Sequence, residues 1–516
     1  MAEVELSRRD LLAAFLGVPF AALACRTRAP QLPPGELVGA SHETGHRLRG
    51  GPIPQPSRWE THDVVIVGGG VAGLAAAWRL AHGGLRDVVL FELEPVIGGT
   101  SRASSAYPWG AHYVIAPSPA NRVLTRLLGE MGVLEGEGIA EQFLCRDPEE
   151  RLFYRGRWYE GLYLEAGATH EDVRQLRAFE AEIAQWTARH AFTIPVSQCA
   201  DDAEVTALDR ISMAQWLDER GLTSPRLRWL VDYACRDDYG LRLHDTSAWA
   251  GIFYFASREG RPTVTWPDGN GRIVAHLARS APSRAGWLVL DVDATEDGAD
   301  VIALRGEAAV GVHAKRVIFA GPQFVAARVL RAWRDDPPAH LCDFTYGSWM
   351  VANLALRDRP VSHGFPLAWD NVMYDSPSLG YVVATHQQGI DRGPTVLTYY
   401  YALCESDPRA ERERLLSAGR DEWAEVALAD LSRAHPDIRS LTTRIDVMRW
   451  GHAMVRPRPG FLWSAARRNA SRPFRAVHFA NTDLSGVALC EEALDHGVRA
   501  AEEVLATLAQ GAASWR

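Results

Sequence analysis

Gly68, Gly70 and Gly73 are spaced as Gly-x-Gly-x-x-Gly, and an acidic residue, Glu92, follows about twenty residues later. This is chemistry for a nucleotide diphosphate. Gly68 allows a tight turn, Gly70 lets the main chain approach a pyrophosphate, and Gly73 lets the following helix pack closely on the preceding strand. The helix N-terminus then turns free N–H groups and the positive end of its dipole toward the phosphates. Glu92 would accept hydrogen bonds from the adenosine ribose hydroxyls, and its charge would repel a 2′-phosphate. NADP is therefore disfavoured, while FAD and NAD remain.

Other residues have side chains suited to holding or deprotonating a substrate. Trp369-Asp370-Asn371, Tyr399-Tyr400-Tyr401 and Trp450-Gly451-His452 are aromatic and polar clusters, and His112 and His452 are candidate bases or hydrogen-bonding groups. Alternation along a strand puts Tyr399 and Tyr401 on one face and Tyr400 on the other, so one set at most lines a site. Cys235-Arg236-Asp237-Asp238-Tyr239-Gly240 is a compact polar group, explained equally well by an internal salt bridge. The cysteines after Cys25 show no C-x-x-C spacing and no companion histidines for a metal, so buried thiols are expected.

The elements that must position these residues are readable in part. Asp63 to Val67 reads as a buried strand, Leu74 to His82 as an Ala-rich helix and Val88 to Phe91 as a second strand ending at Glu92. Together they form one βαβ unit, whose sheet is expected to be parallel with a right-handed crossover. Arg316 to Ala320 and Ala476 to Ala480 read as further strands and Leu494 to Leu508 as a C-terminal helix. The nucleotide-binding domain is assigned residues 61–140, 261–335 and 448–516. Two Trp-, Tyr- and Arg-rich stretches, 141–260 and 336–447, form an inserted substrate domain, and residues 26–60 a linker.

The length of 516 residues and 47% hydrophobic content exclude a disordered or small disulfide-stapled chain. A net charge of −9 with interspersed signs offers no basic face for nucleic acid. Lys315 is the only lysine among 55 basic residues. At the N-terminus Arg8-Arg9 precedes an apolar run from Leu11 to Ala24, the pattern of a twin-arginine export signal over residues 1–25. Cleavage falls at Ala22-Leu23-Ala24 or before Cys25, whose lipidation would tether the protein to a membrane surface. The expected destination is outside the cytoplasm, as a periplasmic protein or a membrane-anchored lipoprotein.

After Glu92 the sequence continues Gly98-Gly99-Thr100-Ser101-Arg102 and then Trp109-Gly110-Ala111-His112-Tyr113. Here it resembles the flavin-dependent amine oxidase and phytoene desaturase superfamily. The resemblance recurs at Asn270 to His276, Val289 to Thr295, Lys315 to Pro322, Phe479 to Asp483 and Gly497 to Ala501. It implies an α/β fold with a Rossmann-like FAD-binding domain, a parallel sheet with helices, plus an inserted α+β substrate domain. By this resemblance Gly98, Gly99 and the displaced Arg102 contact the diphosphate and ribityl chain of FAD. Gly110 runs beside the isoalloxazine, main-chain groups of Val292 hold the adenine, and Asp483 binds the ribityl or pyrophosphate region.

The activity implied is oxidation of an amine or related small molecule by hydride transfer to flavin N5. Trp450 and Tyr400 would wall the flavin, with His112 the preferred base. The superfamily often places a lysine near N5 to assist reaction with oxygen, but Tyr346 to Leu354, the corresponding strand, has none. This predicts a dehydrogenase that passes electrons to a quinone or cytochrome. Rival readings are a desaturase or isomerase of a carotenoid-like substrate, marked by a long tunnel without carboxylates, and a non-catalytic surface lipoprotein.

Overall fold

A computed structural model describes residues 32–104, 106–136, 138–508 and 514–516. The expected export signal and Cys25 lie outside the described residues. The β-branched run expected as the first strand forms Trp59–Val67, passes through the glycine turn into the helix Val71–His82, and returns as Val88–Glu92. The two strands pair in parallel from Val64↔Val88 to Val67↔Phe91. Val64, Val65, Ile66 and Leu90 are fully buried, as strands covered on both faces require.

Close approach explains the small residues that follow. A Cβ on Gly73 would fall 1.9 Å from the Gly68 carbonyl oxygen, and one on Gly497 would fall 2.2 Å from that of Ala72. The C-terminal helix Cys490–Thr507 therefore lies backbone to backbone on the first helix. Val88–Glu92 and Trp59–Val67 are joined by Ser283–Ala285, Ala308–Phe319, Ala299–Arg305 and Leu288–Ala294, with Val477–Phe479 alongside Ala308–Phe319. The long strand Ala308–Phe319 pairs in parallel with both Trp59–Val67 and Val477–Phe479, which brings three distant blocks of sequence into one sheet.

The second sheet has eight strands in the order Leu37–Gly39, Thr442–Val455, Tyr346–Leu356, Thr395–Leu403, Tyr381–Val383, Asp370–Met373, Glu150–Tyr154 and Arg157–Glu160. Two sequence expectations change here. Residues 34–49 are not a free linker, because Leu37–Gly39 extends the sheet parallel to Thr442–Val455, and Ser41 donates through N–H (2.6 Å) and hydroxyl (3.0 Å) to Glu94. The boundary at 447/448 cuts the strand Thr442–Val455, so residues 448–455 belong to the second sheet. The helices His170–Ala188, Pro225–Tyr239 and Ala248–Ala256 share a further apolar core around Trp216, Trp249 and Phe253. The described residues from Pro34 onward form one compact body, and no helix among them is long and apolar enough to cross a membrane.

Candidate active site

The glycine turn has the geometry its spacing implies. Gly68 adopts φ +109°, and a Cβ there would lie 3.1 Å from the Ala320 carbonyl carbon. Gly70 precedes the helix, and no side chain caps its first N–H groups. These amides remain available to an anion. Glu92, only 8% exposed, turns toward this turn and accepts the Gly69 N–H at 2.6 Å and the Glu94 N–H at 2.8 Å. Burial raises its pKa. Each oxygen carries a single bond from the protein, leaving acceptor capacity for ribose hydroxyls. The glycine pair closes on the same place, since Gly98, at φ +122°, donates its N–H to the Gly69 carbonyl at 2.8 Å.

The C-terminal block adds a polar pair. Asp483, fully enclosed, accepts the Gln323 N–H at 2.8 Å and the Tyr346 hydroxyl at 2.6 Å, and burial pushes its carboxyl up to about 6. Gln323 is itself fully buried, yet neither end of its side-chain amide has a partner. It follows Ala320-Gly321, the segment against Gly68. Buried amides are ordinarily satisfied, so these orphaned groups fit a polar ligand lying along the turn. Bare glycine edges, a ribose acid and free buried amide groups together suit the adenine dinucleotide diphosphate of FAD.

Two residues expected at the cofactor also have partners within the protein. The Arg102 guanidinium lies 3.4 Å from Glu94 and from the Gly39 carbonyl, over the Trp450 ring at 5.2 Å, because the strand Leu37–Gly39 supplies it with partners. Val292 is paired with Val301 on one side and lies beside Leu330 on the other.

A cavity of about 390 Å³ opens in the second lobe. Its wall begins in the cofactor cradle: Ala111 N–H donates to the Thr100 carbonyl at 3.1 Å, next to Gly99, and Gly110 lies so close that a Cβ would be 2.4 Å from that oxygen. His112 follows and lines the cavity with Tyr400 and Trp369. The Tyr400 hydroxyl reaches the Gly110 carbonyl at 2.9 Å and His112 Nδ1 at 3.0 Å, with the two rings stacked 5.1 Å apart. Burial pulls the His112 pKa down to about 4 and raises that of Tyr400 well above the phenol range, so both are neutral at physiological pH.

Five carboxylates line the cavity, Glu150, Glu180, Asp237, Glu259 and Asp370, together with Arg258 and Arg261. The Tyr233 hydroxyl donates to Asp370 at 3.0 Å. Among the described residues nothing donates to Glu150 or Asp237. Burial pushes these two up to about 7 and Asp370 well above the carboxylate range.

Tyr400 thus faces the cavity, whereas Tyr399 points the other way and donates to Asp430 at 3.0 Å, as alternation requires. Trp450 is not a cavity residue. Its indole N–H donates to the Trp109 carbonyl at 2.7 Å, which holds it under the segment leading to Gly110. His452 is not brought to the cavity either: it stacks on Phe324 at 4.2 Å, beside Tyr346. Glu150 and Gln323 escaped sequence reasoning. Glu150 sits in an acidic run that looks solvent-exposed, and Gln323 carries no motif. A clue to Asp237 was present in Asp237-Asp238, two acids sharing few basic partners.

Fold and site define a dinucleotide-binding α/β flavoprotein whose substrate lobe is threaded between segments of the nucleotide lobe. The family model for flavin-containing amine oxidoreductases matches residues 71–505, and the chain belongs to that family. Oxidoreductase PigB of Serratia sp. (strain ATCC 39006) is 22% identical over 532 residues, covering 87% of this chain and 76% of that protein. Among solved structures, a putrescine oxidase variant superposes with TM-score 0.66 at 18% identity, over 87% of this chain and 100% of that one. Cyclohexylamine oxidase from Brevibacterium oxydans IH-35A gives 0.62 at 17% identity, over 87% and 99%. The protein is an FAD-dependent oxidoreductase of the amine oxidase type.

Proposed function

We propose that the protein oxidises an amine in the cavity lined by His112, Tyr400 and Trp369. The observation that carries this reading is continuity: one stretch of chain, Gly98 to Tyr113, forms the edge of the diphosphate cradle and then the cavity wall. FAD held at Gly68, Gly70, Glu92 and Gln323 would supply hydride-accepting chemistry for the carbon attached to nitrogen, the nitrogen lone pair becoming the second bond of a C=N product. The chain's own residues prepare that transfer. A neutral His112, held by Tyr400, leaves the neighbouring nitrogen free of an electrostatic pull toward the protonated form and can accept its proton. The rings of Trp369 and Tyr400 exclude water and present π faces to a cationic substrate as it enters.

The carboxylates in this cavity oppose the apolar-tunnel reading of a carotenoid-like desaturase. The strand Tyr346–Leu356 is buried and without lysine, and Lys315 is spent on an exposed ion pair with Asp63 at 2.6 Å. Both features support a dehydrogenase that hands electrons to a quinone or cytochrome. The N-terminal sequence supports export by the twin-arginine route, with Cys25 as a lipid tether when cleavage falls before it. Stopped-flow mixing of reduced protein with air tests the dehydrogenase reading: reoxidation should be slow, and rapid reoxidation would overturn it.

A further inference from the structure

Residues 34–49 join the fold through a three-residue edge strand, and the short helical turns that follow it bury none of their side chains. The segment nevertheless touches three of the blocks that shape the cofactor cradle. Glu94, two residues beyond the ribose acid, donates its N–H to Glu92 Oε1 at 2.8 Å. Its own carboxylate accepts the Ser41 N–H at 2.6 Å, the Ser41 hydroxyl at 3.0 Å and an Arg102 N–H at 3.4 Å, and Arg102 donates in turn to the Gly39 carbonyl at 3.4 Å. Glu94 and Arg102 bracket the glycine pair Gly98 and Gly99. Gly45 then lies over Leu93, where a Cβ would stand 3.6 Å from Cδ2. Beyond it the turn Arg47–Arg49 packs on the helix Gln323–Val329, which begins with the orphaned Gln323 amide. Arg47 finally donates to the Gly306 carbonyl, at 3.3 Å, between two strands of the nucleotide sheet. The segment thus starts on the second sheet and ends on the first, passing the cradle between them.

Its contacts are few, polar and close to the surface, so it opens at a lower free energy than the sheets it joins. Its two central anchors belong to the cradle: Glu94 steadies Glu92, and Arg102 follows the glycine pair. A ligand that fixes the cradle fixes these anchors, and by linkage a docked segment must then favour the ligand equally. We propose that residues 34–49 form a retention strap for FAD, which opens to admit the dinucleotide and docks, through Ser41 on Glu94 and Gly39 on Arg102, to slow its release.

The full-length protein is first compared with and without FAD by hydrogen–deuterium exchange. Amides of residues 37–49 should exchange at least about tenfold more slowly with FAD bound, while those of the helix Met213–Glu219, in the core around Trp216, change less than about twofold. Release of FAD is then timed from the rise in flavin fluorescence on dilution. Ser41→Ala should speed release about fivefold, the loss of one hydrogen bond to a carboxylate, and Ser41→Thr should restore the wild-type rate. Val38 packs where the strand Leu37–Gly39 meets the sheet, so Val38→Asp should unseat the strand and speed release more than about tenfold. The FAD-free Tm of Ser41→Ala should stay within about 1 °C of wild type. Equal exchange of residues 37–49 in the two states, or wild-type release from both Ser41→Ala and Val38→Asp, would overturn the strap. Faster release matched by a lowered FAD-free Tm in Ser41→Ala would also overturn it, because the segment would then be holding the fold and not the cofactor.

Discussion

The cofactor cradle and the substrate cavity are made in opposite ways. The cradle is built where side chains are missing: Gly68, Gly70, Gly73, Gly98 and Gly99 bare the backbone, and the charged residue that matters, Glu92, is held by two N–H groups. The cavity is built from side chains contributed by segments far apart in sequence, and several of its charges lack partners. A backbone site depends on spacing along the chain. A side-chain site depends on which strands and helices meet.

Variants in the two regions should therefore fail differently. The largest effect is expected from Gly73→Ala. Its new Cβ would fall 1.9 Å from the Gly68 carbonyl, and neither backbone can yield without opening the turn. The purified protein should be colourless or unfolded, as read by the ratio of flavin to protein absorbance. Glu92→Ala should fold but bind FAD about 10–100-fold more weakly, the loss expected for charge-assisted hydrogen bonds to the ribose. Tyr400→Phe, in the cavity, should retain FAD fully. It removes the hydroxyl that fixes His112, and a drop in kcat of about tenfold is expected, with little change in flavin content.

The pH dependence separates the regions more finely. Glu150 and Asp237 are raised to about 7 in the folded protein, from about 4 when unfolded. Their stability contribution is fully present below the unfolded value and is lost as pH rises through about 7. The Tm of the substrate-free protein should fall across that window, and Glu150→Gln should flatten the fall. His112 acts with the opposite sign, because its folded pKa is lowered to about 4; its contribution is present above about 6.5 and is lost as pH falls through about 4. The smallest effect belongs to Lys315→Ala. Its ion pair is exposed, and its removal should change stability by less than about 1 kcal/mol and leave flavin reoxidation unaltered.

Much of the nucleotide lobe was legible because its signals are local. Periodicity gave the strands flanking the turn, and the spacing from Gly73 to Glu92 follows from one helix and one strand laid against each other. Arg102 and Val292 have protein partners that no local pattern announces. The strand Leu37–Gly39, hidden in a Pro- and Gly-rich stretch without periodicity, brings its Gly39 carbonyl to Arg102, and Leu330 comes alongside Val292. In the cavity, alternation correctly separated Tyr400 from Tyr399, but it did not show that His452 would meet Phe324 instead of His112. Glu150 and Asp370 stand over two hundred residues apart and meet only through strand register.

The most direct test is an anaerobic titration of the purified, full-length protein with a panel of amines, followed in the visible spectrum. A flavin band that bleaches stoichiometrically on mixing is the predicted result. A colourless protein, or a flavin band that no amine bleaches, would contradict it.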